Sequence, residues 1–125
     1  MKRGLLLFAH GARDPNWALP FEDVARRIRE RESGLRVELA FLEFMEPSLL
    51  VAGQRLAELG CERVDVVPLF LGAGGHVRKD LPALLQDLSD RHPSVHWHLR
   101  RAIGEADSVI DAMAVAALQM IHPHG

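Results

Sequence analysis

A chain of 125 residues is long enough to bury one real core and too short for two ordinary domains. Its 48% hydrophobic and 26% charged content is that of a globular protein, and a formal charge of −2 excludes a global basic field for nucleic acid or an anionic membrane. The single cysteine, Cys61, excludes an intrachain disulfide and suits a reducing compartment.

The chain opens on MKRGLLLFAHG, whose basic start is followed by an apolar run of only Leu5 to Ala9, with no small-residue cleavage site. It reads as a strand over 5–9 rather than a secretion signal. Its near-continuous hydrophobicity predicts a strand covered on both faces, as in parallel sheets. Phe21, Val24, Ala25 and Ile28 then repeat at helical spacing, with Pro20 in the first turn and Gly34 beyond the end. A second strand is expected over 35–42, LRVELAFL. The stripe Leu49, Ala52, Gly53 and Leu56, set between Pro47 and Gly60, marks a second helix. A third strand, VDVVPLFL over 64–71, is again almost continuously apolar. Leu81, Leu84, Leu85 and Leu88 mark a third helix ended by Pro93. VHWHL over 95–99 is the weakest strand, since two of its five residues are histidines. Val109, Ile110, Met113, Ala116, Ala117 and Met120 mark a fourth helix ended by Pro123. All four stripes are expected to face the core. No segment approaches the ~18 apolar residues of a membrane span, and a cytoplasmic location is expected.

This alternation of strand and helix predicts an α/β fold in three layers, with a four-stranded parallel sheet and helices on both faces. The expected strand order is 2-1-3-4, within a single domain over 1–125.

In such sheets, ligands bind beyond the carboxyl ends of the strands, near the switch in strand order. The first strand runs into His10-Gly11-Ala12-Arg13-Asp14, the second into Glu43 and Glu46, and the third into Gly72-Ala73-Gly74-Gly75-His76. Two histidines and a carboxylate are thus expected on one rim. Neutral imidazole and carboxylate suit a divalent first-row metal, and so few protein ligands would leave coordination positions open. The plain alternative makes each histidine a hydrogen-bonded loop residue and Glu43 a cap of the second helix, with Glu46 in the same cap. The glycines match neither the phosphate-loop pattern nor the dinucleotide fingerprint, which follows a first strand. They do permit close approach of a flat or bulky ligand. Arg78 and Lys79 either meet ligand carboxylates or are solvated charges. His96 and His98 share one face of the fourth strand, with His92 close in sequence, and read as plain surface groups toward the opposite rim. His122 and His124 belong to the tail.

The blocks LLLFAHGARDPNW with PFE, then VELAFLEFMEPSL, then VVPLFLGAGGHVRKDLP resemble the small sirohydrochlorin chelatases, the short ATP-independent cobalto- and ferrochelatases of class II. The match runs through residues 4 to 82 in the family's order and spacing, and IGEADSVIDAM extends it loosely. The resemblance implies a flavodoxin-like chelatase domain that pairs with a second copy. Longer relatives carry two such domains, with the tetrapyrrole in the cleft between them, so a homodimer is implied here. It places the family's metal-binding histidines on His10 and His76 and its acidic residue on Glu43. Arg13, Gly74, Gly75, Arg78 and Lys79 then become candidates for binding the substrate and its carboxylates. Ala12 departs from the serine that many relatives carry, which removes one hydroxyl near the pocket and leaves both histidines. The implied reaction is insertion of Co²⁺, with Fe²⁺ or Ni²⁺ as further candidates, into sirohydrochlorin, without a cofactor beyond the substrate metal. A dimeric metal or tetrapyrrole carrier using the same histidines is the alternative. A phosphate- or nucleotide-binding regulator ranks last, because histidine stands where a receiver domain would place its acidic pair.

Overall fold

The apolar run after Gly4 forms β1 (Arg3–Ala9), which lies at the centre of the sheet because both of its neighbours supply apolar partners. In the computed structural model, residues 1–72 and 74–122 are described, with residues 75–78 described by their backbone alone. The further elements are α1 (Leu19–Arg31), β2 (Arg36–Phe41), α2 (Leu49–Glu58), β3 (Arg63–Pro68), α3 (Gly75–Arg91), β4 (His96–Leu99) and α4 (Asp107–Ile121). Short 3-10 turns at Pro15–Ala18 and Ile103–Glu105 precede α1 and α4. The sheet is parallel throughout, in the order β2-β1-β3-β4, as the sequence predicts.

Side chains alternate across the sheet and divide the core in two. Leu6 and Phe8 of β1, Ala40 of β2, and Val64 and Val66 of β3 pack against Leu49, Ala52 and Leu56 of α2 and Leu81 and Leu88 of α3. Leu7 and Val37 point the other way and meet Ala25 of α1. Helices therefore cover both faces, which gives the expected three layers. Cys61 is buried at the turn between α2 and β3, and burial pushes its thiol pKa up. No helix among the described residues is long and apolar enough to cross a membrane.

Two of the predicted apolar stripes need correction. In α1, Val24 is exposed, and Ala25 alone is buried. In α4 no residue is buried at all. The physical reason lies in the sheet face that α4 would otherwise cover. Asp65 on β3 is only 8% exposed and points to the same side as Leu7. It accepts a hydrogen bond from Arg100 Nε at 2.8 Å and a longer one from Arg63 Nε at 3.4 Å, and it pairs with Arg3 at 3.7 Å. His96 and His98, both exposed, lie opposite Arg63 and Asp65 in the β3–β4 register. An apolar helix laid there would bury an ion network without replacing its water. Pro123 and His124 lie outside the described residues.

The Asp65 network carries a stability prediction. Burial alone raises the Asp65 pKa, but the hydrogen bonds and charges of Arg63 and Arg100 outweigh it and hold the carboxyl below its ordinary value. A lowered folded-state pKa stabilises the fold above the unfolded pKa, and that contribution fades as pH falls through the folded one. Asp65→Asn should therefore cost about 2 kcal/mol at neutral pH. Urea midpoints at pH 7 and pH 3 should show the gap to wild type narrowing in acid; an equal gap at both would contradict the network's role.

Candidate metal centre

His10 is the first residue beyond β1, and its position is fixed from two sides. Its ring stacks on Phe70 with centroids 4.1 Å apart and planes at 29°. Phe70 is 2% exposed and stands two residues past the end of β3, so the ends of the two central strands meet through these rings. Stacking holds an imidazole by its face and leaves both nitrogens free at its edge, while His10 itself is exposed. A ring in this position can offer a nitrogen to a metal ion without a large rearrangement.

The backbone beside it is locked to the end of β2. Leu42 N–H donates to the Ala9 carbonyl at 2.9 Å, and Glu43 N–H donates to the His10 carbonyl at 3.0 Å. Gly11 makes this approach possible. Its φ is +91°, and a Cβ added there would collide with the Glu43 carbonyl oxygen. His10 and Glu43 are thus backbone neighbours although 33 residues separate them in sequence. The Glu43 side chain is exposed. Neither it nor Glu46 caps α2, contrary to the alternative reading; Ser48 does so, its hydroxyl oxygen accepting from Val51 N–H at 3.2 Å. Serine is a strong cap, and the hydroxyl sits immediately before the first helical residue.

Phe44 follows with φ 65°, and the guanidinium of Arg13 lies 5.0 Å above its ring. This cation–π contact brings the exposed Arg13 over the β2 loop, next to Glu43 in sequence. Asp14 serves the first 3-10 turn instead, accepting from Asn16 N–H at 2.9 Å.

At the third strand end α3 already begins at Gly75, ahead of the Leu81–Leu88 stripe that marks it in the sequence. Gly74 is the N-cap, with an ordinary φ of −65°. A Cβ added at Gly72 or Gly74 would meet nothing within 4 Å, so open space lies beside both. His76 stands on the first turn of α3. The side chains of His76, Val77 and Arg78, and the exposure of Gly75, lie outside what is described. Lys79 is exposed on the same helix. Among the described residues no three histidine, cysteine or carboxylate side chains gather around one point. Of the other described histidines, His96, His98 and His122 are exposed and His92 is half-buried. His92 ends α3, and its carbonyl accepts from Trp97 Nε1 at 3.3 Å. His96 begins β4 at the rim opposite His10.

Three features of the rim escape a reading based on polar residue types. Phe70 and Phe44 read as core and loop residues, since nothing in their spacing shows that one stacks on His10 and the other on Arg13. Gly104, in the second 3-10 turn, donates its N–H to the Phe70 carbonyl at 2.9 Å, and a Cβ there would collide with the Leu71 carbonyl. Beyond the ends of β3 and β4, Arg100, Arg101 and Glu105 with Pro68, Leu81 and Leu99 line a cavity of about 270 Å³. The pair Arg100-Arg101 directly after the fourth strand was its one visible signal.

The family model described as CbiX matches residues 4–119. A protein of Methanocaldococcus jannaschii named sirohydrochlorin cobaltochelatase is 36% identical over 88 residues, which are 70% of this chain and 62% of that protein. The match therefore spans less than two thirds of that relative. A protein of the same name from Sulfolobus acidocaldarius is 30% identical over 122 residues, covering 98% of this chain and 95% of that one. Among solved structures, a CbiX protein from Marinobacter aquaeolei VT8 superposes with a TM-score of 0.85 at 33% identity, over 97% of this chain and 98% of that one.

Proposed function

We propose that this chain, which belongs to the CbiX family, inserts a divalent metal ion into sirohydrochlorin. The observation that carries the reading is the exposed His10 ring, held by Phe70 and backed by the Glu43 backbone at the end of the central strands. The names of the two archaeal relatives support the substrate and the reaction type.

Insertion requires a partly dehydrated metal, its delivery to one face of the macrocycle, and removal of two pyrrolic protons. His10 and His76 bind the metal ion, which is the substrate, with its remaining positions open to the ring. Glu43 tunes the ligands or accepts a proton. Arg13, Arg78 and Lys79 meet the peripheral carboxylates of the macrocycle, while Gly74 and Gly75 let its plane come close to the backbone. Co²⁺ is the first choice of metal, and Fe²⁺ and Ni²⁺ suit the same nitrogen ligands. No further cofactor is required. Residues 1–125 work as one chelatase-like unit in the cytoplasm, and two copies form the cleft for the macrocycle.

Mixing protein, sirohydrochlorin and each metal in turn, and following the change in absorbance, tests the reading. The expected result is insertion faster than the protein-free rate for at least one of Co²⁺, Fe²⁺ and Ni²⁺. Binding of metal or macrocycle with insertion at the protein-free rate for all three would mark a carrier instead.

A further inference from the structure

The pair Arg100-Arg101 directly follows β4, and both side chains line the cavity of about 270 Å³ beyond the ends of β3 and β4. Pro68 and Leu81, both buried, give it apolar walls, and exposed Glu105 is its one carboxylate among the described residues. Arg100 is committed to Asp65, to which its Nε donates at 2.8 Å. That carboxylate is shared by three guanidiniums, those of Arg3, Arg63 and Arg100, so the end of β4 keeps an excess of positive charge. Arg101 is different. It is exposed, and it has no hydrogen-bond or ion-pair partner among the described residues. A free guanidinium beside apolar walls, in a field that is positive on balance, suits a small anionic group on an apolar frame.

The cavity stands on the same rim as His10. Only β3 separates β1 from β4, so at about 4.8 Å per strand spacing their ends lie about 10 Å apart. The structure between them is continuous. The His10 ring lies on Phe70, and the Phe70 carbonyl accepts from the N–H of Gly104, the residue before Glu105. Leu71 touches Gly104 through its own carbonyl, while its side chain is 69% exposed. An apolar side chain thus stands open where the platform of His10 meets the turn that borders the cavity. In a tetrapyrrole, about six bonds separate the central metal from a carboxylate on a short arm at the ring edge, a reach of roughly 8 Å. One such molecule can span both places.

We propose that this cavity receives one peripheral carboxylate of the macrocycle, with Arg101 as its charged partner. The identity of the ligand rests on the proposed function. Guanidinium suits the task because its planar fork meets both oxygens of a carboxylate. Held by its metal at His10 and by one arm at Arg101, the ring has two fixed points and lies across Leu71. Arg13, placed over Phe44 at the end of β2, is on the other side of His10, so the two arginines meet different arms. Glu105 acts in the opposite sense. Its carboxylate repels a second anionic arm, which limits the cavity to one. Arg101 and Glu105 together therefore select how the macrocycle is turned on the rim.

Titrating the full chain with metal-free sirohydrochlorin, followed by the absorbance of the macrocycle, tests the assignment apart from insertion. Arg101→Ala should weaken binding about tenfold, as loss of one hydrogen-bonded charge does, with circular dichroism unchanged because the side chain is exposed. Arg101→Lys should recover part of that loss, since lysine keeps the charge without the fork. Glu105→Gln should tighten binding about twofold. Glutarate, a short dicarboxylate without a ring, should bind no better than about 1 mM. Arg101→Ala that binds sirohydrochlorin as wild type does overturns the proposal. So does a shift in the same direction for Arg101→Ala and Glu105→Gln. Tighter glutarate binding that depends on Arg101 would also overturn it, by assigning the cavity to a free small acid. Wild type that binds sirohydrochlorin through Arg101 yet inserts no metal would remove the proposed function and keep this subsite; insertion by wild type with Arg101→Ala binding equally well would do the reverse.

Discussion

Gly11→Ala is expected to destabilise the fold by about 3 kcal/mol or more, because it combines a left-handed backbone with a steric collision. The alanine Cβ would occupy the place of the Glu43 carbonyl oxygen while φ stays at +91°. Relief requires the loop after β2 to withdraw, which breaks the bonds from Leu42 and Glu43 to Ala9 and His10. A protein of this size has about 5–15 kcal/mol of total stability, so the melting temperature should drop by about 10 °C. Insertion should fall as well, since His10 and Glu43 lose their common support. Thermal unfolding followed by circular dichroism reads the first effect. A melting temperature within a degree or two of wild type would show that the two strand ends are not locked together at Gly11.

His10→Ala is expected to have the opposite signature, an intact fold and a large loss of insertion. The side chain is exposed, and its main contact is the face of Phe70, so truncation removes little burial. It does remove a proposed metal ligand. Loss of groups that merely orient ligands costs about 10–100-fold in metal affinity or activity, so loss of a ligand itself should exceed about 100-fold. Unchanged circular dichroism together with that loss separates this variant from Gly11→Ala. A His10→Ala protein that unfolds would place the residue among the structural groups instead.

Much of the fold was legible because it rests on local pattern. Continuous apolar runs marked β1 and β3, and the stripe of α2 is buried residue for residue. The α4 stripe misled because helical spacing shows only that apolar residues share a face. Whether a core lies beneath that face depends on Asp65 and its arginines, which come from the start of β1, the start of β3 and the end of β4. The site divides in the same way. His10 and Glu43 could be placed on one rim from strand order alone, since parallel topology puts every strand's carboxyl end there. Gly11 as a close-approach residue, Phe70 as the platform under His10 and Ser48 as the true cap all depend on contacts between segments, which no spacing rule records.

Two histidine variants assayed side by side decide whether metal insertion occurs at the His10 rim. His98 is exposed on β4, away from the strand ends that carry His10. Initial rates of Co²⁺ insertion into sirohydrochlorin should be measured for wild type, His10→Ala and His98→Ala against the protein-free rate. His98→Ala should insert at the wild-type rate, while His10→Ala should fall close to the protein-free one. Equal rates for His10→Ala and wild type would place insertion away from the His10 rim.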